Sequence, residues 1–125
     1  MILRARWLLP IDRPRIDGGW VEIADGRIVR VAPGSPPSGA TDLGDVVVLP
    51  GLVNAHTHLE LSWMAGLVPP AASMPDWIRS MIGVRRTGPS GGPGAVTRAA
   101  IAAAASVRAT GTVLVGDVAN TLETP

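Results

Sequence analysis

The chain has 125 residues, of which 46% are apolar and 17% charged, a balance that excludes wholesale disorder and suits about one small domain. Eleven basic side chains, all arginine and scattered, face ten acidic ones for a net charge of +1, so no electrostatic footprint for nucleic acid is present. Cysteine is absent, which excludes disulfides and thiolate metal sites and leaves histidine and carboxylate as metal ligands.

The start, "MILRARWLLPID", carries arginines within its apolar stretch and no small-residue cleavage site, unlike a signal peptide. The longest apolar runs, "VVVLPGLV" and "AAIAAAASV", fall short of the roughly 20 residues that span a bilayer. A soluble, cytoplasmic protein with no membrane partner is the expectation. In "WVEIADGRIVRV", Asp25-Gly26 between two β-branched stretches predicts a hairpin with strands near 20–24 and 27–31. Its alternation is imperfect, with Glu22 among apolar neighbours and Arg30 expected beside Val21 across the ladder, so a half-covered sheet is predicted. "VAPGSPPSGATDLGD" then reads as a surface loop.

"VVVLP" at 46–50 predicts a short strand stopped by Pro50-Gly51, and "LVNAH" at 52–56 a deeper one. Ser73 as cap, Pro75 and Asp76 in the first turn and Gly88-Pro89 as stop bound a helix over about 74–87. Trp77, Ile78, Met81 and Ile82 mark its buried stripe, and Arg85 and Arg86 sit at its end toward solvent and the helix dipole. After the loop "GPSGGPG", the alanine-rich "AVTRAAIAAAASVRATG" predicts a crossover helix with Gly111 at its C-terminal cap. "TVLVGD" at 112–117 is an apolar strand of a parallel sheet, so strand, helices and strand form a crossover unit.

Both histidines of the chain stand in "PGLVNAHTHLELS". Alternate residues of a strand share a face, with Cα atoms roughly 6.6 Å apart, so His56 and His58 can close on one metal ion. An isolated HxH also describes two loop histidines. Here the pair lies at the C-terminal mouth of a parallel sheet, where such folds keep their sites. Glu60 joins that face only if the strand runs on, and it suits pairing with an unspecified arginine equally well. Asn54 on the same face suits structural hydrogen bonding more than substrate contact. Asp117 and Asn120, ending the later strand at the same mouth, read equally as pocket lining or as turn residues.

"PGLVNAHTHLELS", with "DGRIVRV" upstream and "TGTVLVGDVANT" downstream, resembles the amino-terminal part of the amidohydrolase superfamily, in its cytosine deaminase and chlorohydrolase-like branch. The resemblance covers nearly the whole chain in the expected order. It implies an α/β fold: residues 1–50 as part of a small β-sandwich, and residues 51–125 as the first elements of an incomplete (β/α)8, or TIM, barrel, whose full form takes about 250 residues. It also implies one divalent metal, zinc or iron, held by His56 and His58 and polarising a water for attack on an electron-poor carbon. The family's remaining ligand and its proton-handling histidine, glutamate and aspartate have no match here, so the catalytic residues stay unassigned. Glu60, Asn54, Asp117 and Asn120 are left as residues that hold the ligands in place or meet a small-molecule substrate.

Within the branch, "NAHTHLELS", "MPDWIRSMIGVRR" and "GTVLVGDVAN" are most similar to the group containing aminodeoxyfutalosine deaminases. The expected activity of the parent enzyme is hydrolysis of a non-peptide C–N bond, deaminating a purine-like or other heterocyclic substrate, with homo-oligomers in the full-length form. The 125-residue chain alone is expected to be inactive. Two alternatives stand beside this: a triazine-type chlorohydrolase, and a non-enzymatic metal-binding protein of the cupin type. Cupins place several residues between the second histidine and the glutamate, where this chain has only Leu59, and an alanine-rich helix follows instead of strands.

Overall fold

The structure, a computed structural model, describes residues 1–120, so the last five residues of the expected second domain lie outside the described part. The chain divides into two compact units, Met1–Pro50 and Gly51–Pro125.

The first unit is one sheet of five strands: β1 (Ile2–Leu8), β2 (Ile16–Ala24), β3 (Arg27–Pro33), β4 (Thr41–Asp42) and β5 (Val47–Val48). β1 is central, antiparallel to β2 and parallel to β4 and β5, while β2 and β3 form the predicted hairpin. Asp25 and Gly26 both take positive φ, 50° and 72°, as a two-residue turn matched to the twist of its strands requires. The expected neighbours of Arg30 need correction. The register shifts between Glu22 and Ile23, leaving Val29 outside the pairing, so Arg30 faces Glu22 and Val21 faces Val31. A bulge of this kind inserts one residue into one strand and turns the rest of the ladder over. Ala5, Leu8, Trp20 and Val21 are the buried apolar side chains of this sheet, with the Arg30 guanidinium 5.1 Å from the Trp20 ring centroid.

The second unit begins with β6 (Leu52–Thr57), followed by a 3-10 helix (Leu59–Met64), α1 (Met74–Thr87), α2 (Ala95–Ala109) and β7 (Thr112–Asp117). β6 and β7 are parallel and adjacent, so the segment between them is the predicted crossover. The Ser73 side chain caps α1 by accepting from the Asp76 N–H, and Gly111, at φ 94°, follows the Thr110 cap of α2. α2 packs on the 3-10 helix and on β7, burying Ala100 together with Leu59 and Met64.

The buried stripe expected on α1 is not formed. Trp77 and Ile78 are 41% exposed and Ile82 40%, because no described element packs closely over them. Both faces of the β6–β7 pair are also open, with Val53, Val113 and Leu114 more than half exposed. Among the described residues no helix is long and apolar enough to cross a membrane.

Candidate metal centre at the mouth of β6 and β7

β6 carries the histidine pair and loses its regular register there. Asn54 faces Val115 and Thr57 faces Asp117, so Ala55 and His56 share the single partner position of Gly116. The Asn54 carboxamide oxygen accepts the His56 N–H at 3.2 Å, which holds the local bend. Gly116 is what lets the strands approach, since a Cβ there would lie 2.6 Å from the Ala55 carbonyl oxygen. The ladder resumes where Val118 N–H donates to the Thr57 carbonyl at 2.8 Å.

The bend brings the Nε2 atoms of His56 and His58 to 3.2 Å from each other, with ring centroids 4.9 Å apart and planes at 79°. Two ligands of one tetrahedral ion at about 2.0–2.1 Å stand about 3.3–3.4 Å apart, so the pair fits a shared zinc-sized cation. Without a cation the same gap takes one N–H···N hydrogen bond. The Nδ1–H of His58 donates to the Val118 carbonyl at 2.6 Å. In the neutral ring this leaves the Nε2 lone pair facing His56, the arrangement that metal-binding imidazoles use.

β6 ends at Thr57, so Glu60 does not continue the face of the pair as a running strand would require. It lies on the 3-10 helix, only 2% exposed, and looks toward the end of β7 and the end of α1. Its Oε2 accepts the Asn120 backbone N–H and its Oε1 the Asn120 side-chain amide, both at 3.0 Å. Arg85 adds an ion pair at 3.3 Å. Asp117 accepts the Leu59 N–H through Oδ1 at 2.8 Å, while its buried Oδ2 has no hydrogen-bond partner among the described residues. All six residues singled out in the sequence thus take part in the β6 and β7 ends, though only the histidines converge on a common point. Among the described residues no cluster of three or more histidine, aspartate or glutamate side chains could hold a metal alone.

Sequence reading missed three contributors. Val118 acts through its carbonyl and leaves no mark in residue type. Arg85 turns inward to Glu60 instead of standing only at the helix end. Gly116 did leave a signal, because a lone glycine inside a strand marks a close backbone approach.

No family model matches the chain. A 5-methylthioadenosine/S-adenosylhomocysteine deaminase of Nitratidesulfovibrio vulgaris (strain Miyazaki F) is 31% identical over 90 residues, 66% of this chain and 20% of that protein. One of the same name from Moorella thermoacetica is 44% identical over 61 residues, 44% of this chain and 14% of the relative. The chain therefore spans about a fifth or less of the curated relatives it matches. Among solved structures, an amidohydrolase from Brucella melitensis superposes with a TM-score of 0.73 at 22% identity, covering 94% of this chain and 26% of that one. Helicobacter pylori aminofutalosine deaminase, in complex with methylthio-coformycin, gives 0.69 at 22% identity, covering 97% and 30%. An atrazine chlorohydrolase from Arthrobacter aurescens TC1, complexed with zinc, gives 0.71 at 23% identity, covering 93% and 28%.

Proposed function

We propose that this chain, which belongs to the amidohydrolase superfamily on its deaminase-like side, forms the amino-terminal part of a metal-dependent enzyme that deaminates a purine-like heterocycle. The observation that carries the reading is the 3.2 Å approach of the two Nε2 atoms, with His58 held in the metal-binding tautomer by Val118. In this reading Met1–Pro50 is part of a β-sandwich, and β6 and β7 are the first two strands of a (β/α)8 barrel whose other elements lie outside this sequence.

His56 and His58 would hold one divalent ion, zinc or iron, as two of the three protein ligands a catalytic zinc takes. The ion would supply a polarised water for attack on the ring carbon bearing the amino group. Water adds at that carbon, the C–N bond breaks, and ammonia leaves. Asn54 keeps the strand bent so that the imidazoles converge, and Asp117 ties the segment after the pair to β7. A small-molecule substrate, a cytoplasmic location and assembly with further copies of the full-length protein accompany the reading.

The atrazine chlorohydrolase shares the fold, but both sequence relatives are named as deaminases, which favours C–N over C–Cl cleavage. The test is to offer the longer enzyme that carries this segment 5′-methylthioadenosine, S-adenosylhomocysteine, aminofutalosine and atrazine. Ammonia release from at least one of the first three is expected. Chloride from atrazine with no ammonia from any of them overturns the reading.

A further inference from the structure

Glu60 belongs to no ligand set, yet it is the one charged side chain among the described residues that is fully buried, at 2% exposure. A carboxylate is kept out of water only where donors replace its hydration. Its donors include two that are distant in sequence: Arg85, 25 residues on at the end of α1, and Asn120, 60 residues on just after β7. Asn120 gives both its backbone N–H and its side-chain amide, so the carboxylate grips the main chain of the segment after β7, not only a side chain.

That segment includes Val118, whose carbonyl takes the Nδ1–H of His58. Among the described residues three contacts from the β6 side secure it: Asp117 with Leu59, Val118 with Thr57, and the doubly bonded Asn120 with Glu60. The first two lie at or before Val118. Among the described residues the grip of Glu60 on Asn120 holds the chain beyond Val118, the side toward which its carbonyl peptide continues.

We propose that Glu60 is a positioning residue that sets the tautomer of His58 through Asn120 and Val118. The role rests on His58 being a metal ligand only for its consequence. The tautomer itself is read without metal.

The experiment is a long-range 1H–15N correlation spectrum of the imidazoles in the full 125-residue chain, metal-free and at about pH 8. In the unmodified chain His58 is expected as the single Nδ1–H tautomer. Glu60→Gln keeps the shape but loses the charge that draws in Arg85 and both Asn120 donors, and should give a mixture of tautomers at His58. Glu60→Ala should lose the preference altogether. Zinc affinity, measured in competition with a chromophoric chelator, should fall about 10-fold in Glu60→Gln, as when partners behind a metal ligand are removed. Asn120→Ala, which leaves the backbone donor in place, should keep the Nδ1–H form. A purely structural glutamate would lower the thermal midpoint and leave the His58 signals unchanged. That result in Glu60→Gln overturns the role, even where Glu60→Ala fails to fold. A longer enzyme carrying this segment that binds no zinc, beside a 125-residue chain that shows the fixed tautomer, sinks the metal reading and leaves the positioning role intact.

Discussion

The Nδ1–H of His58 and the carbonyl of Val118 meet at 2.6 Å across 60 residues of sequence, making the orientation of one side chain depend on the closure of the whole crossover. A histidine set by a local neighbour would keep its orientation in a peptide. This one keeps it only while β6 and β7 are paired.

His56→Ala or His58→Ala in the longer enzyme should remove stoichiometric metal and turnover together, because each is expected to supply one of two converging nitrogens. Metal analysis after dialysis, paired with an ammonia assay, checks this. Full metal content and rate in either variant would mean that the pair is a structural N–H···N contact.

Gly116→Ala should destabilise the second unit by about 1–3 kcal/mol, the usual cost of forcing atoms into a filled site. The added Cβ would lie 2.6 Å from the Ala55 carbonyl oxygen and 3.1 Å from its carbon, both backbone atoms that cannot swing away. Urea unfolding gives the size. Zinc affinity should fall in the same variant, since the bend at Ala55 and His56 is what that close approach permits.

Acid should loosen the start of α1. The Ser73 hydroxyl, and then Arg79, hold the Asp76 carboxyl below its ordinary value. A depressed folded pKa contributes stability that is present above the unfolded value of about 3.9 and is lost as pH falls through the folded one. Helical ellipticity should therefore drop on acidification below about pH 4. Asp76→Asn should start lower at neutral pH, and its difference from the unmodified chain should vanish in acid. A constant difference across the titration would show that Asp76 makes no charge-dependent contribution to the cap.

The 125-residue chain by itself should self-associate and hold zinc weakly. Val113 is 71% exposed, Val53 62% and Leu114 61%, on a sheet that has two strands, with unpaired edges, among the described residues. Sedimentation velocity over a range of concentrations should show species that grow with loading. A compact monomer retaining one equivalent of zinc after dialysis against a mild chelator would show that the segment is a self-sufficient metalloprotein.

Elements closed by local chemistry were legible in the residues. α1 runs Met74–Thr87 as Ser73, Asp76 and Gly88 predict, and the β2–β3 hairpin turns at Asp25-Gly26. β1 was not predicted: Arg4 and Arg6 alternate with Leu3, Ala5 and Trp7 at period two, but those arginines also break the apolar run. What stayed hidden depends on pairing at a distance. The slip at Val29 follows from how β3 meets β2, and the exposure of Trp77 follows from the lack of a facing element. HxH announced two imidazoles that meet at one point, whereas the partners of Glu60, at positions 85 and 120, could not be inferred from spacing.

The 60-residue separation between His58 and Val118 also sets a schedule for the growing chain. Translation adds about 5–20 residues each second, so the imidazole pair is made about 3–12 s before the carbonyl that orients it. Through that interval the His58 ring lacks the acceptor that orients it in the folded chain. The orientation of His58 is therefore set only once synthesis has passed Val118.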